Sequence, residues 1–311
     1  MSIAGKIFYK LYHQPIQVVR STLKTGLRRT VHINAGRKQM MQAAMDLNEV
    51  CYSDDITHRV YFLTGKKYWF QTAFCLYSLQ LNAGVNIHAT ILDDGSFDDE
   101  LERKVKRQFP TTVDIVRNSE LVNYLDEKLP VTQFPVLRQR RIDYPHLRKL
   151  TDVHVLPGAE PKLVLDSDML FFQQPHEMLN WLQNPKGFLF MRDVTQSYGY
   201  TLDLMKQLTG AAAMPDRLNV GVAGVVSSCI DWPKLEFWTE ELLRREGSSY
   251  LQEQALTAML AANVPYKFLN EADYKVCPSI NSTTIPEILH HYVADSKYDY
   301  FVKGWPFFFS K

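Results

Sequence analysis

A chain of 311 residues, 46% hydrophobic and 22% charged, with a formal net charge of +1, has an ordinary globular composition. That balance excludes a disordered or collagen-like chain, and it offers no bulk charge for gripping nucleic acid. The four cysteines, Cys51, Cys75, Cys229 and Cys277, show no CxxC spacing. They read as buried free thiols in a reducing compartment, so a cytoplasmic location is expected.

The first segment is basic. Residues 1–45 hold Lys6, Lys10, Arg20, Lys24, Arg28, Arg29, Arg37 and Lys38 but no acid, with aromatics such as Phe8, Tyr9 and Tyr12 interspersed. Met1 to Lys10 lacks the apolar core of a signal peptide. The plain reading of residues 1–57 is a basic helical extension that the rest of the fold does not need. A sharper one is a peripheral contact with an anionic membrane face, aided by the aromatic tail "GWPFFFSK".

From residue 58 to 311 the pattern is that of one α/β domain. "RVYFLT" reads as a buried strand and "YWFQTAFCLYSLQL" as a helix covered on several sides. "NIHATILDD" is a second strand. "DDELERKVKRQF" is an amphipathic helix with acids first and bases last, as the helix dipole prefers. "TVDIVR" and "ELVNYLDEKL" repeat the strand–helix unit. This alternation predicts a mostly parallel sheet flanked by helices. An arginine-rich connection follows, and then "KLVLDSDMLFF" (residues 162–172), read as one strand. "GFLFM", "LNVGVAGVVSS", "YKFLN" and "HHYVA" read as later strands. "WPKLEFWTEELLRRE" and "YLQEQALTAMLAAN" read as helices.

Ligands of open α/β sheets sit beyond the carboxyl ends of the strands. That edge gathers Thr64 after the first strand, Asp93 and Asp94 after the second, and Asp166 and Asp168 at the end of the fourth. A bare Asp-x-Asp arises about once by chance in a chain of this size. At the end of an apolar strand, where a lone buried carboxylate is costly, it points to a hard or borderline cation such as Mg²⁺ or Mn²⁺. Strand alternation would put both carboxylates on one face. Near the chain's end, "HHYVADSK" offers His291 as a third ligand and Lys297 as a point charge for a phosphate.

Taken together these blocks resemble the nucleotide-sugar glycosyltransferases of the GT-A fold, in particular the retaining glycogenin and lipopolysaccharide-galactosyltransferase-like group. "LDSDMLFF" resembles the group's Asp-x-Asp strand, and "LNVGVAGVV" its Phe-Asn-x-Gly-Val strand. "QEQALTAML" resembles its Asp-Gln-Asp-x-Leu-Asn helix. "HYVADSK" resembles its His-x-x-Gly-x-x-Lys pattern, with Ala294 in place of the glycine. The order of the blocks fits over roughly residues 58–305.

The resemblance implies a Rossmann-like GT-A fold and transfer of a hexose from a nucleotide-diphosphate sugar, a UDP-sugar being the expected donor. The acceptor would be a hydroxyl of a glycan, a lipid-linked sugar or a protein, and the anomeric configuration would be retained. It implies Mn²⁺ or Mg²⁺ on Asp166, Asp168 and His291, with Lys297 adding positive charge beside the leaving diphosphate. Arg148 or Lys149 would reach the same phosphates, and Asp93 or Asp94 the ribose or base. Tyr68 would stack on the base. Gly221 would allow close backbone approach, and Asn219, Glu253 and Gln254 would lie near the anomeric carbon. Each has a plainer alternative: a turn for Asp93-Asp94, core packing for Tyr68, a solvated helix face for Arg148 and Lys149, a polar helix face for "QEQ". Two other readings compete. A haloacid-dehalogenase-like phosphatase also uses Asp-x-Asp after a strand but needs a later acidic pair. A non-catalytic scaffold derived from a transferase would have no use for the four polar groups.

Overall fold

In the computed structural model, which describes residues 26–53, 56–158 and 161–309, the apolar runs build one seven-stranded sheet and a second sheet of three short strands. After helix α1 (Leu27–Ala43), three β-α units follow in chain order. They are β1 (Thr57–Thr64) with α2 (Trp69–Ala83), β2 (Asn86–Asp93) with α3 (Asp99–Gln108), and β3 (Val113–Val116) with α4 (Asn118–Lys128). The charge pattern of α3 works as the sequence suggests. Asp98 caps it by accepting from the Leu101 N–H at 3.0 Å, and Lys106 and Arg107 sit in its last turn.

The arginine-rich connection is not a plain loop. It folds into α5 (Pro135–Asp143), begun by a proline, and α6 (Arg148–Val155). Arg141 and Asp152, both buried, clamp these helices together through two hydrogen bonds of 2.8 and 2.5 Å.

The stretch 162–172 also departs from expectation. It is two strands, β4 (Pro161–Leu165) and β5 (Met169–Phe171), which belong to different sheets. Asp166-Ser167-Asp168 is the turn between them, so strand alternation is not what aligns the carboxylates. The rest of the chain adds α7 (His176–Gln183), β6 (Phe188–Arg192), α8 (Leu202–Thr209), β7 (Leu218–Val226), α9 (Trp232–Glu246) and α10 (Gln252–Ala261). Three short strands follow: β8 (Tyr266–Phe268), β9 (Tyr274–Val276) and β10 (Leu289–His291). The helices α7 and α8 and the strand β9 carry no signal that the sequence reading used.

The large sheet runs β3-β2-β1-β4-β7-β6-β8, and the small one β5-β10-β9. Within the large sheet β7 is antiparallel to both its neighbours, and the other pairs are parallel. The winding reverses between β1 and β4, which is where an open α/β sheet leaves a crevice. Side chains alternate between two cores, one per face. Val60, Phe62, Leu163 and Leu165 join one; Tyr61 and Val164 join the other.

Residues 1–25 of the basic segment lie outside the described residues. The described part is packed. Met40 and Leu47 sit in the first core, and Gly36 meets the backbone of Phe301 so closely that a Cβ would overlap its carbonyl. The terminal aromatics pack as well: Trp305 against Phe74, and Phe307 and Phe308 against Phe172. Three cysteines differ from expectation, since Cys51 and Cys229 are exposed and Cys277 is half-buried; all four are free. Among the described residues no helix is long and apolar enough to cross a membrane.

We propose that the folded unit takes in α1 rather than starting at residue 58, because α1 closes one face of the core. Met40→Ala should therefore lower the free energy of unfolding by about 2–5 kcal/mol in urea titrations. A loss below about 0.5 kcal/mol would make α1 an appendage.

Candidate active site

The crevice between β1 and β4 is lined from several elements. After Leu165 the chain leaves the large sheet, with the Asp166 N–H donating to the Gly221 carbonyl of β7 at 2.8 Å. Two residues later it enters the small sheet, where the Tyr292 N–H donates to the Asp168 carbonyl at 2.9 Å and His291 pairs with Met169. Each carboxylate of the turn is thus referenced to a different sheet. Ser167 fixes the turn from behind: its Oγ lies 2.8 Å from Thr72 Oγ1, which in turn donates to Thr64 Oγ1 at 2.8 Å. Thr64 is fully buried and serves this chain of hydroxyls.

His291 comes up between the two acids. Its Nε2 is 3.5 Å from Asp166 Oδ2 and 3.3 Å from Asp168 Oδ1, and neither ring nitrogen makes a hydrogen bond of good geometry. Room for the ring depends on Gly221, because a Cβ there would overlap the imidazole. Gly221 therefore serves close approach, but of His291. Oxygen and nitrogen atoms of Asp166, Asp168 and His291 can all lie within 4.8 Å of one another, the one such His/Cys/Asp/Glu cluster among the described residues. Two carboxylates and a buried imidazole whose ring nitrogens make no well-formed hydrogen bond suit a borderline divalent cation.

Two lysines balance the acids. Lys149, in the first turn of α6, bridges Asp166 (2.8 Å) and Glu253 (3.3 Å). Lys297 donates to Asp168 Oδ2. Burial pushes the Asp166 and Asp168 carboxyls up. Lys149 for the first, Lys297 for the second, and His291 for both outweigh it, so both sit below the usual carboxylate range. Burial opposes charge on His291 too, yet the two carboxylates beside it lift its pKa to about 9. Glu253 differs: burial raises its pKa to about 7, and Lys149 only partly offsets that.

The other sequence-selected residues spread around this centre. Asp93 is consumed by its turn, accepting from the N–H groups of Gly95 (2.7 Å), Phe97 (3.0 Å) and Asn118 (3.3 Å). Asp94 is half-buried at the edge, accepting from the Ser96 N–H at 2.9 Å through Oδ1. Arg148 donates to the Asp94 carbonyl at 2.8 Å. Tyr68 precedes α2 with 41% of its surface exposed and the Lys67 ammonium 4.9 Å from its ring centre. Asn219 is buried, accepting from the Gly221 N–H (2.9 Å) and donating to Asp193 (3.0 Å). Gln254 donates to the Ser197 carbonyl at 2.9 Å, while Gln252 accepts from Arg140 at 2.5 Å. Of the "QEQ" triplet, Glu253 alone faces Lys149.

Sequence reasoning missed an aromatic group beside these charges. His146 and Tyr250 rings lie 5.1 Å apart, edge to face, and Tyr144 joins both while its hydroxyl donates to the Tyr250 carbonyl. The charges of Asp166 and Asp168 act on both His146 and Tyr250. The signal was available: "YPH" and "SSY" directly precede the segments that carry Lys149 and Glu253.

Glu253 gives a pH test. A carboxyl raised in the fold from an ordinary 4.5 to about 7 contributes stability that is complete below pH 4.5 and lost as pH rises through 7. Removing it should remove that slope. The stability of Glu253→Gln relative to the unaltered protein should climb by up to about 3 kcal/mol between pH 4 and pH 8, measured by denaturant unfolding with chelator present. A difference that stays flat with pH would place Glu253 in a solvated setting.

No protein-family model matches the chain, and no curated protein does. Among solved structures it is similar to mouse xyloside xylosyltransferase 1 in its apo form, with TM-score 0.53 and 12% identity over 76% of this chain and 97% of that one. It is similar to the galactosyltransferase LgtC in complex with donor and acceptor sugar analogues, with TM-score 0.52 and 17% identity over 76% and 87%. The apo bifunctional glycosyltransferase WbbM matches with TM-score 0.51 and 10% identity over 83% of this chain and 51% of that one. At such identities the shared property is the fold, and the fold of this chain is that of the GT-A-type glycosyltransferases.

Proposed function

We propose that this chain is a glycosyltransferase that moves a sugar from a nucleotide-diphosphate sugar, a UDP-sugar, to an acceptor hydroxyl on a glycan, lipid-linked sugar or protein. The observation that carries the reading is the meeting of Asp166, Asp168 and His291 from two sheets at the carboxyl edge of a GT-A-type fold, with Lys149 and Lys297 alongside. A phosphatase reading loses its support here, because the third group at the acidic pair is a histidine rather than a further acid.

Asp166, Asp168 and His291 would hold Mn²⁺ or Mg²⁺, which when bound supplies positive charge to the leaving diphosphate. Lys297, a third exposed beside Asp168, donates to phosphate oxygens in the same place. Lys149 stays buried against Asp166 and Glu253, so its role is to hold both carboxylates in position and to present one N–H to the donor. Asp94 and Arg148, joined at the edge, face the ribose and phosphates; Asp93 shapes their turn. Tyr68, exposed above α2, stacks on the base. Asn219 and Gln254, already hydrogen-bonded to protein, shape the floor on which Glu253 stands nearest the sugar. Tyr250, with 73% of its surface exposed next to His146, offers an aromatic face to the acceptor sugar. Retention of configuration accords with Glu253 being tied to Lys149 rather than free to activate an acceptor hydroxyl as a base.

A panel of nucleotide sugars, screened for metal-dependent thermal stabilisation and then for transfer, tests this reading. Asp168→Asn should lower turnover by at least about a hundredfold and remove the metal-dependent stabilisation. NMR of the first-formed product should show the donor's anomeric configuration. Full activity in Asp168→Asn or in excess chelator would remove the metal site, and an inverted product would make Glu253 a base.

A further inference from the structure

We propose that a cleft between the start of α1 and the segment 298–303 binds a phosphate group, separately from the site described above and independently of the transferase reading. The cleft has a volume of about 430 Å³ and is lined by Arg28, Arg29, His32, Tyr298, Asp299 and Lys303. Three of the six are permanent cations and a fourth is an imidazole.

Tyr298 organises them. The Arg29 guanidinium lies 4.9 Å from its ring centre and the Lys303 ammonium 5.7 Å. Arg29 is further held by a 3.0 Å hydrogen bond to the Asp295 carbonyl, and Lys303 by one of 2.7 Å to the Ile280 carbonyl. The single acid, Asp299, is buried and sits 2.7 Å from the Lys303 ammonium, so its charge is already matched. Arg28 and Arg29 then face the cleft with no acidic partner among the described residues.

Their position makes the imbalance sharper. The first turn of a 17-residue helix is where the dipole favours acids, and α1 has none there but two arginines. Cations at the positive end of a helix repel it, and an anion in the cleft would offset both. Guanidinium groups pair with phosphate oxygens bidentately, and with Lys303 already matched by Asp299 the two arginines leave two positive charges for a phosphate dianion. The phosphate can belong to a small soluble molecule or to a lipid headgroup; the chemistry recognised is the same.

The test uses the full-length protein with chelator present. Imidazole NMR signals of His32, assigned by their loss in His32→Gln, are followed during titration with inorganic phosphate. Co-sedimentation is measured in parallel with phosphatidylcholine vesicles, plain or containing phosphatidic acid. Arg28 is exposed and its side chain makes no hydrogen bond or ion pair among the described residues, so Arg28→Glu should unfold normally yet weaken binding at least tenfold; Arg29→Glu should weaken binding as much but also lose the bond to the Asp295 carbonyl. A His32 shift with inorganic phosphate, lost in Arg28→Glu, identifies a soluble phosphate ligand. Binding confined to phosphatidic acid vesicles, and lost in Arg28→Glu, identifies a headgroup. Absence of both, or binding unchanged in Arg28→Glu, overturns the proposal.

Discussion

The site depends on one electrostatic constraint. Two carboxylates held a few ångströms apart in a largely buried crevice repel each other, and burial alone would protonate them. The chain keeps both ionised by surrounding them with three positive charges: Lys149 on Asp166, Lys297 on Asp168 and a protonated His291 between them. Lys149 and His291 are buried, so removing either leaves an unmatched charge and costs about 3–5 kcal/mol, whereas the partly exposed Lys297 contributes less. The arrangement is therefore stable without a cation and still arranged for one. A divalent ion would take over the neutralising role of the His291 proton, because ligation requires the neutral imidazole. The lysines would then be turned toward an anionic donor.

The fold exists around this cluster in a specific way. Asp166 and Asp168 reach the same histidine from a turn and not from one continuous strand. The chain changes sheets at that turn, so that β7 fixes Asp166 and β10 fixes both Asp168 and His291. Gly221 supplies the space for the imidazole, and the Thr64–Thr72–Ser167 hydroxyl chain supplies the floor. Buried ion pairs farther back, Arg141 with Asp152 above all, anchor the helix that delivers Lys149. Three shells of interaction thus converge on one turn of three residues.

Much of this was legible in the sequence, for identifiable reasons. Strands β1, β2 and β3 announce themselves because each is an apolar run followed by a helix, apolar nearly all round after β1 and with acids before bases in dipole order after β2 and β3. Asp166 and Asp168 stand out because carboxylates rarely follow such a run. His291 and Lys297 lie more than a hundred residues away, and only the resemblance of whole blocks connected them to the acids. What stayed hidden is instructive. The break between β4 and β5 leaves no local trace, since apolar residues flank it on both sides. Asp93 looked like a ligand contact but is absorbed by its own turn, which a "DDG" spacing already permits. The role of α1 was obscured by its basic surface, although Gly36 and Met40 mark the stripe that packs. Tyr250 and His146 belong to no periodic pattern; proximity across the fold alone makes them a pair.

The central claim is that Asp166, Asp168 and His291 act as one ligand set. Pulsed electron paramagnetic resonance on the full-length protein with Mn²⁺ and UDP addresses it directly. The account predicts ¹⁴N modulation from a directly ligated imidazole, absent in His291→Leu. Nitrogen coupling that persists in His291→Leu, or bound Mn²⁺ with no nitrogen ligand at all, would contradict it.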